Sequence, residues 1–192
     1  MQNKSISDSD TDYRIIHRNI KYPRLELKTG NLILIVPHGY KDPEKLIEEH
    51  ENWIKNKIIF INESKERSKD NKLNYKRNED ELRTLIHKNI DIFSNELEVK
   101  PNQVKLRIMK SKWGSCSSKK NVNFNKLLKY LPDDLIQYVV LHEITHLKEN
   151  KHNQEFWNII SEFIKDYKRK EEELMDYWFL IQTETNEFGK DQ

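Results

Sequence analysis

The chain of 192 residues has little of several features that would narrow its function at once. Its one cysteine, Cys116, excludes an internal disulfide and is typical of a reducing compartment. With only four glycines, it has no Gly-rich loop that could cradle a phosphate. It also has no apolar run of membrane-spanning length, no signal-peptide pattern, and a net charge of only +2, which gives no general attraction to nucleic acid or membranes. These absences predict a soluble cytoplasmic protein.

Hydrophobic residues make up 35% of the chain and charged residues 34%, which allows a packed core beneath a heavily charged surface. Alternating apolar positions predict two strands that form a β-hairpin, one on each side of Gly30. Apolar residues spaced three and four apart predict several helices. We therefore expect an α+β fold with a small antiparallel or mixed sheet. The predicted boundaries are a flexible tail over 1–12, a single domain over 13–182 and a second flexible tail over 183–192. Within that domain, 13–100 would hold the N-terminal sheet and helices, and 101–182 the second half.

The most informative stretch is an H-E-x-x-H pattern formed by His142, Glu143 and His146. Two histidines four residues apart lie on one face of a helix, one turn above the other. His152 follows six residues later and completes a three-histidine set if the helix ends after His146 and the chain turns back, with Asn150 as a left-handed cap. Three protein ligands and one open position are the catalytic arrangement of zinc. Glu143 would then act as the general base, taking a proton from a water that the metal activates.

The residues before, within and after this pattern resemble those of a known family. The residues that carry the resemblance are Arg107, Lys110, Trp113-Gly114-Ser115-Cys116-Ser117, the H-E-x-x-H pattern, Asn150, His152 and Phe156-Trp157. Together they resemble the YgjP family of zinc-dependent hydrolases, which is related to the WLM and SprT/Spartan metallopeptidases. The resemblance implies a zincin-like metallopeptidase core that binds one zinc ion, or another divalent metal. It also implies that His142, His146 and His152 are the ligands and Glu143 the catalytic base.

The substrate is left open between two enzyme classes. A peptidase is favoured by the metal pattern and by a predicted strand near residues 121–127, which could pair with an extended peptide at the rim of the site. A nucleotide hydrolase is the alternative, because a bacterial YgjP is described as a UTP pyrophosphatase. In that case Arg107, Lys110 and Lys112 would hold the phosphates and Trp113 would stack on the base. The competing interpretation of these four residues is a solvated strand face beside a tryptophan that packs in the core.

Two further interpretations have a structural rather than catalytic basis. The protein could be a non-catalytic, metal-stabilised binding module, although a structural zinc normally has four protein ligands and no neighbouring base such as Glu143. Cys116 could be a metal ligand, but three imidazoles already complete a catalytic set, which favours a structural thiol. We therefore predict a metal-dependent hydrolase acting on a peptide or a nucleotide.

Overall fold

The computed structural model describes residues 4–6, 9–27 and 30–185. The chain forms two compact units, Met1–Glu66 and Arg67–Gln192. The predicted α+β class is confirmed, because helices accompany a small mixed sheet in each unit. We keep the single domain over residues 13–182 as a prediction. In the part of the chain that is described, no helix is both long enough and apolar enough to cross a membrane.

The first unit is built on a four-stranded sheet with the strand order β1-β2-β4-β3. Its elements are β1 (Lys4–Ile6), β2 (Ser9–Arg18), β3 (Arg24–Leu27), β4 (Leu32–Pro37), α1 (Lys45–Glu49) and α2 (Glu51–Ser68), which crosses into the second unit. The predicted hairpin is confirmed, since β3 and β4 pair in antiparallel fashion on either side of Gly30. Gly30 has a φ of 101°, a conformation that glycine adopts without steric cost.

The ends of the chain differ from the predicted boundaries. Residues 4–6 and 9–12 belong to β1 and β2, whereas we expected a flexible tail, because backbone pairing of Lys4 with Tyr13 and Ser5 with Asp12 needs no apolar side chains. Of the predicted C-terminal tail, residues 183 and 184 still belong to the last helix, and residues 186–192 lie outside the described residues.

The second unit carries the residues of interest. Its elements are α3 (Glu79–Leu97), β5 (Gln103–Arg107), β6 (Gly114–Cys116), β7 (Asn121–Asn125), a 3-10 helix (Lys126–Tyr130), α4 (Asp133–Thr145), α5 (Gln154–Phe163) and α6 (Tyr167–Glu184). Helix α3 begins in a capping box made by Asn78 and Glu81. In α4, nine of the thirteen residues are buried, so this helix lies inside the core of the unit.

The three-stranded sheet of this unit corrects the predicted rim strand. Its order is β5-β7-β6, with β7 parallel to β5 and antiparallel to β6. The strand that we expected to pair with a peptide is β7, which lies in the centre and has a partner on each side. Sequence alternation gave no sign of this, since it reports which face of a strand is buried and not which neighbours the strand has. Within this sheet the open edges belong to β5 and β6.

A buried asparagine at the end of β7 holds the loop that leads into β6. The Asn125 side chain is fully buried, and its Nδ2 donates to the backbone oxygens of Met109 and Lys112, each at 2.8 Å. Its Oδ1 accepts the backbone N–H groups of Met109 and Leu127 at 3.3 and 3.2 Å. One amide therefore joins loop 108–113 to the start of the 3-10 helix.

We expect Asn125→Asp to destabilise the protein by about 3 kcal/mol or more, because it buries a charge and leaves two carbonyl oxygens without a donor. The measurement is the free energy of unfolding in urea. Asn123→Asp is the matched control, since Asn123 lies on the same strand, is only half-buried and donates to the Ser115 hydroxyl. Equal losses in the two variants would contradict the role given to Asn125.

Candidate active site

Helix α4 presents two of the three histidines. His142 and His146 lie one turn apart near its C-terminal end, with ring centroids 5.1 Å apart. The rest of the helix is anchored by residues such as Val140, Leu141 and Ile144, which are fully buried. A helix held on most sides by the core presents its side chains with little freedom, which suits the rigid geometry of a metal site.

The chain returns His152 to this face by a turn that differs from the predicted one. Asn150 is not left-handed: among the described residues other than glycine, only Glu98 and Lys120 have a positive φ. Instead, the Glu149 carboxylate accepts the backbone N–H of Lys151 at 2.9 Å, which closes the turn. The following helix, α5, is capped by Asn153, whose side chain accepts the backbone N–H of Phe156 at 3.0 Å.

The three imidazoles converge. One ring nitrogen from each of His142, His146 and His152 lies within 4.8 Å of the other two. The Nε2 atoms of His142 and His152 are 2.9 Å apart, a separation at which both could bind one metal ion. Among the described residues this is the one group of three or more histidine, cysteine or acidic side chains close enough to share a metal ion.

Contacts behind the rings set their orientation. His146 Nδ1 is 3.2 Å from the backbone oxygen of Glu149, which makes Nδ1 the protonated nitrogen and leaves Nε2 as a ligand atom. The His152 ring, which the chain leaves exposed, stacks on Trp157 at 5.7 Å, and Trp157 stacks on Tyr167 at 5.1 Å. Sequence reasoning missed Glu149, because a backbone carbonyl gives no residue-type signal.

The electrostatics of the site favour neutral imidazoles, the form that binds metals. Burial lowers the pKa of His142 to about 3, and the neighbouring His146 and His152 act in the same direction. Burial also lowers the pKa of His146, although its hydrogen bond to the Glu149 carbonyl opposes the shift. The donor set of three neutral imidazoles fits a catalytic zinc ion or a similar divalent metal.

Glu143 lies beside the histidines in a tight space. Its residue is 7% exposed, and its buried Oε2 has no hydrogen-bond partner within the described part of the chain. Burial raises the pKa of Glu143 to about 8, and the positive charge of Lys112 opposes this shift. A cation among the three imidazoles would act in the same direction as Lys112. The carboxylate thus has one oxygen available for a molecule that enters the site.

Gly114 of β6 provides the space that Glu143 occupies. A Cβ atom at position 114 would lie 2.5 Å from both Cγ and Oε1 of Glu143. Such a distance is shorter than any van der Waals contact, and the Glu143 side chain would have to move. The glycine of the Trp-Gly-Ser turn is therefore needed for close approach of the sheet to α4.

We expect Gly114→Ala to lower turnover by about a hundredfold, since a displacement of a catalytic group by about 1 Å has an effect of that size. The measurement is kcat in a hydrolysis assay, with metal content and thermal unfolding recorded in parallel. Ser115→Ala is the control, because Ser115 neighbours Gly114 on β6 and faces the opposite side of the sheet. Wild-type kcat in Gly114→Ala would show that Glu143 does not depend on this space.

The four predicted substrate-binding residues lie in different surroundings. Lys112 is exposed and near enough to Glu143 to affect its pKa. Arg107 lies at the end of β5, with β7 between it and β6, and Lys110 is an exposed residue of the loop. Trp113 is half-buried and packs edge-on against Trp178 at 4.9 Å, as the competing interpretation expected.

Cys116, the free thiol, lies on β6 and is half-buried. Burial raises its pKa, and the charge of Glu143 acts in the same direction. Cys116 is not part of the three-histidine group, and both shifts disfavour the thiolate that a metal ligand requires. These observations favour the structural thiol over the metal ligand.

Comparison with solved structures finds metallopeptidase zymogens. Abylysin of Pyrococcus abyssi is 19% identical over 47% of this chain and 91% of its own, with a TM-score of 0.44. Jannalysin of Methanocaldococcus jannaschii is 25% identical over 52% of this chain and 89% of its own, with a TM-score of 0.42. A comparison with curated proteins found no match. Residues 68–177, more than half of the chain, match the metallopeptidase domain of the YgjP-like family, and the chain belongs to that family.

Proposed function

We propose that the protein is a zinc-dependent peptidase in which His142, His146 and His152 hold the metal and Glu143 is the general base. The observation that carries the proposal is the convergence of three imidazole nitrogens beside a buried carboxylate with an unpartnered oxygen. Membership of the YgjP-like metallopeptidase family supports a metal-dependent hydrolase of this type. A non-catalytic binding module would not need a buried carboxyl group beside its metal ligands, because burial of such a group is energetically unfavourable.

The side chains of the site have distinct tasks in this proposal. A divalent metal bound by the three histidines supplies Lewis-acid polarisation of the scissile carbonyl and acidifies water. Glu143 takes the proton of the attacking water on its free oxygen and then passes it to the nitrogen of the leaving amine. The Glu149 carbonyl keeps the proton of His146 on Nδ1, and Trp157 holds the ring plane of His152.

The open edge of β6 is suited to an extended peptide. Asn125 N–H donates to the Trp113 carbonyl at 2.8 Å, and Ser117 N–H donates to the Asn121 carbonyl at 3.0 Å. Because hydrogen bonding alternates along an antiparallel strand, the backbone groups of Gly114 and Cys116 point away from β7. A peptide that pairs with these groups by strand addition would lie along β6, next to the Glu143 side chain.

A nucleotide hydrolase is the alternative, and two observations weigh against it. Trp113, the residue expected to stack on a base, has its ring packed against Trp178. Lys112 is the predicted phosphate-binding residue that lies near Glu143, and a single lysine makes a weak triphosphate site.

Hydrolysis assays with an unfolded protein and with UTP, each with and without a metal chelator, test the proposal. We expect cleavage of the unfolded protein that chelator abolishes and added zinc restores, because the reaction depends on the three-histidine metal. The corresponding control is the same assay with Glu143→Gln, which excludes a contaminating peptidase. Turnover of UTP without cleavage of the protein would overturn the peptidase and favour the nucleotide hydrolase.

A further inference from the structure

The segment that forms the three-stranded sheet has an uneven charge that the whole-chain balance hides. Residues 99–132 contain nine lysines and arginines and no aspartate or glutamate, although the chain as a whole has 34 basic and 32 acidic residues. This segment includes β5, β6, β7 and the loops at both ends of β6. This sheet is therefore richer in cations than the net charge of the whole protein indicates.

Lys126 and Lys129, at the 3-10 helix, have partners elsewhere in the unit. Lys126 Nζ forms an ion pair with Glu79 of α3 at 2.8 Å, and Lys129 Nζ lies over the ring of Tyr130 at 4.7 Å. They stabilise the packing of the 3-10 helix and are not available to a substrate. The cations that matter for the site are those next to β6.

Lys112 and Lys119 stand at opposite ends of β6, and both are exposed. Lys112 comes two residues before Gly114, the first residue of the strand, whose backbone approaches the Glu143 side chain. Lys119 comes three residues after it, in a turn whose backbone is held by a 2.6 Å hydrogen bond from Asn102 Nδ2 to the Lys119 carbonyl. A three-residue strand is roughly 10 Å long, so a peptide paired with β6 extends past both lysines within two or three residues.

The opposite side of the site adds charges of both signs. The connection between α4 and α5 carries exposed Lys148 and Lys151, and the Glu149 carboxylate in the same connection is engaged by the Lys151 N–H. Glu155, in the first turn of α5, is the next acidic residue along the chain. This side of the site thus adds two lysines and two carboxylates, of which the Glu149 carboxylate is already hydrogen-bonded. Its charges do not cancel the positive charge along β6.

We infer that the site selects extended peptides with acidic side chains on both sides of the scissile bond, paired with Lys112 at one end of β6 and Lys119 at the other. This inference rests on the peptidase proposed above and names its substrate class. A peptide fits better than a nucleic acid, because the backbone of Gly114 and Cys116 offers both donors and acceptors. A peptide backbone satisfies both kinds of group, whereas a phosphodiester backbone supplies acceptors only.

The test uses three quenched fluorescent peptides of equal length that share one scissile core and carry flanks of glutamate, glutamine or lysine. We expect kcat/KM to follow the order glutamate, glutamine, lysine, and the advantage of glutamate to shrink as salt is raised. Lys112→Gln and Lys119→Gln should each reduce the glutamate-to-glutamine ratio of kcat/KM by up to about five-fold. This is the largest effect expected from the loss of one exposed ion pair. Lys88→Gln is the matched control, because Lys88 is an exposed lysine of α3 and should leave the ratio unchanged.

Binding of the same peptides to the Glu143→Gln variant, measured by fluorescence anisotropy, gives a readout that does not depend on turnover. Cleavage of all three peptides at equal kcat/KM would overturn the acidic preference and leave the peptidase standing. Failure to cleave any of them, with metal bound, would overturn the peptidase and the inference together. Tighter binding of a short oligodeoxythymidylate than of the glutamate peptide would assign the cations to nucleic acid and overturn the inference.

Discussion

Glu143→Gln should lose about 10²–10⁴-fold in kcat while it keeps its metal, because the amide cannot take a proton from water. Gln has nearly the same shape as Glu, so the close contact with Gly114 is preserved and the fold should not change. Glu143 is not one of the three converging metal ligands, and metal content should therefore equal that of the wild type. The measurements are kcat on the best peptide and the zinc content of the purified variant.

The control for this substitution is Glu155→Gln on α5. Glu155 is an exposed acid near the site, and its loss removes a charge of the same sign without touching the converging rings. If Glu143→Gln and Glu155→Gln both retained wild-type kcat, the general base would have to be sought elsewhere in the protein.

His152→Ala should weaken metal binding by more than about a hundredfold. Loss of a residue that only supports a metal ligand weakens binding by up to about a hundredfold, and loss of the ligand itself should have a larger effect. The variant has two imidazoles on α4 in place of a three-histidine set. His152 is exposed and lies on a connection between helices, so its removal should leave thermal unfolding of the apo-protein nearly unchanged. Competition with a fluorescent zinc chelator measures the affinity, and elemental analysis measures the metal that copurifies.

His87→Ala tests whether loss of any histidine has this effect. His87 is an exposed residue of α3 and has no part in the three-histidine group. The His87→Ala variant should bind metal with the same affinity as the wild type. Stoichiometric zinc of unchanged affinity in His152→Ala would remove this residue from the site and with it the open-coordination zinc centre.

The predictions that rested on local chain geometry agree with the structure. Four-residue spacing on a helix places His142 and His146 on one face wherever the helix lies. The hairpin around Gly30 also depends on neighbouring residues alone.

The predictions that failed depended on what lies next to a residue in space. Alternation along β7 indicated a strand but not that β5 and β6 occupy both of its sides, which moved the open edge to β6. By contrast, packing of Trp113 in the core was one of the interpretations open from the sequence, and α6 supplies Trp178 as its partner. One prediction from local geometry is the exception: the turn to His152 was assigned to Asn150, whereas the Glu149 carboxylate closes it by accepting the backbone N–H of Lys151.

The sequence by itself determined the donor types of the site and the helical face that joins two of them, because covalent spacing and helix periodicity suffice for both. It also contained the cationic segment 99–132, which an average over the whole chain concealed. Only the tertiary structure decided that Gly114 leaves room for Glu143, that Trp157 supports His152, and that β6 has an open edge. The contact between Gly114 and Glu143 joins segments distant in sequence, the contact between Trp157 and His152 depends on how α5 follows the turn, and the edge of β6 is a choice of strand partner. All three depend on how the whole core packs.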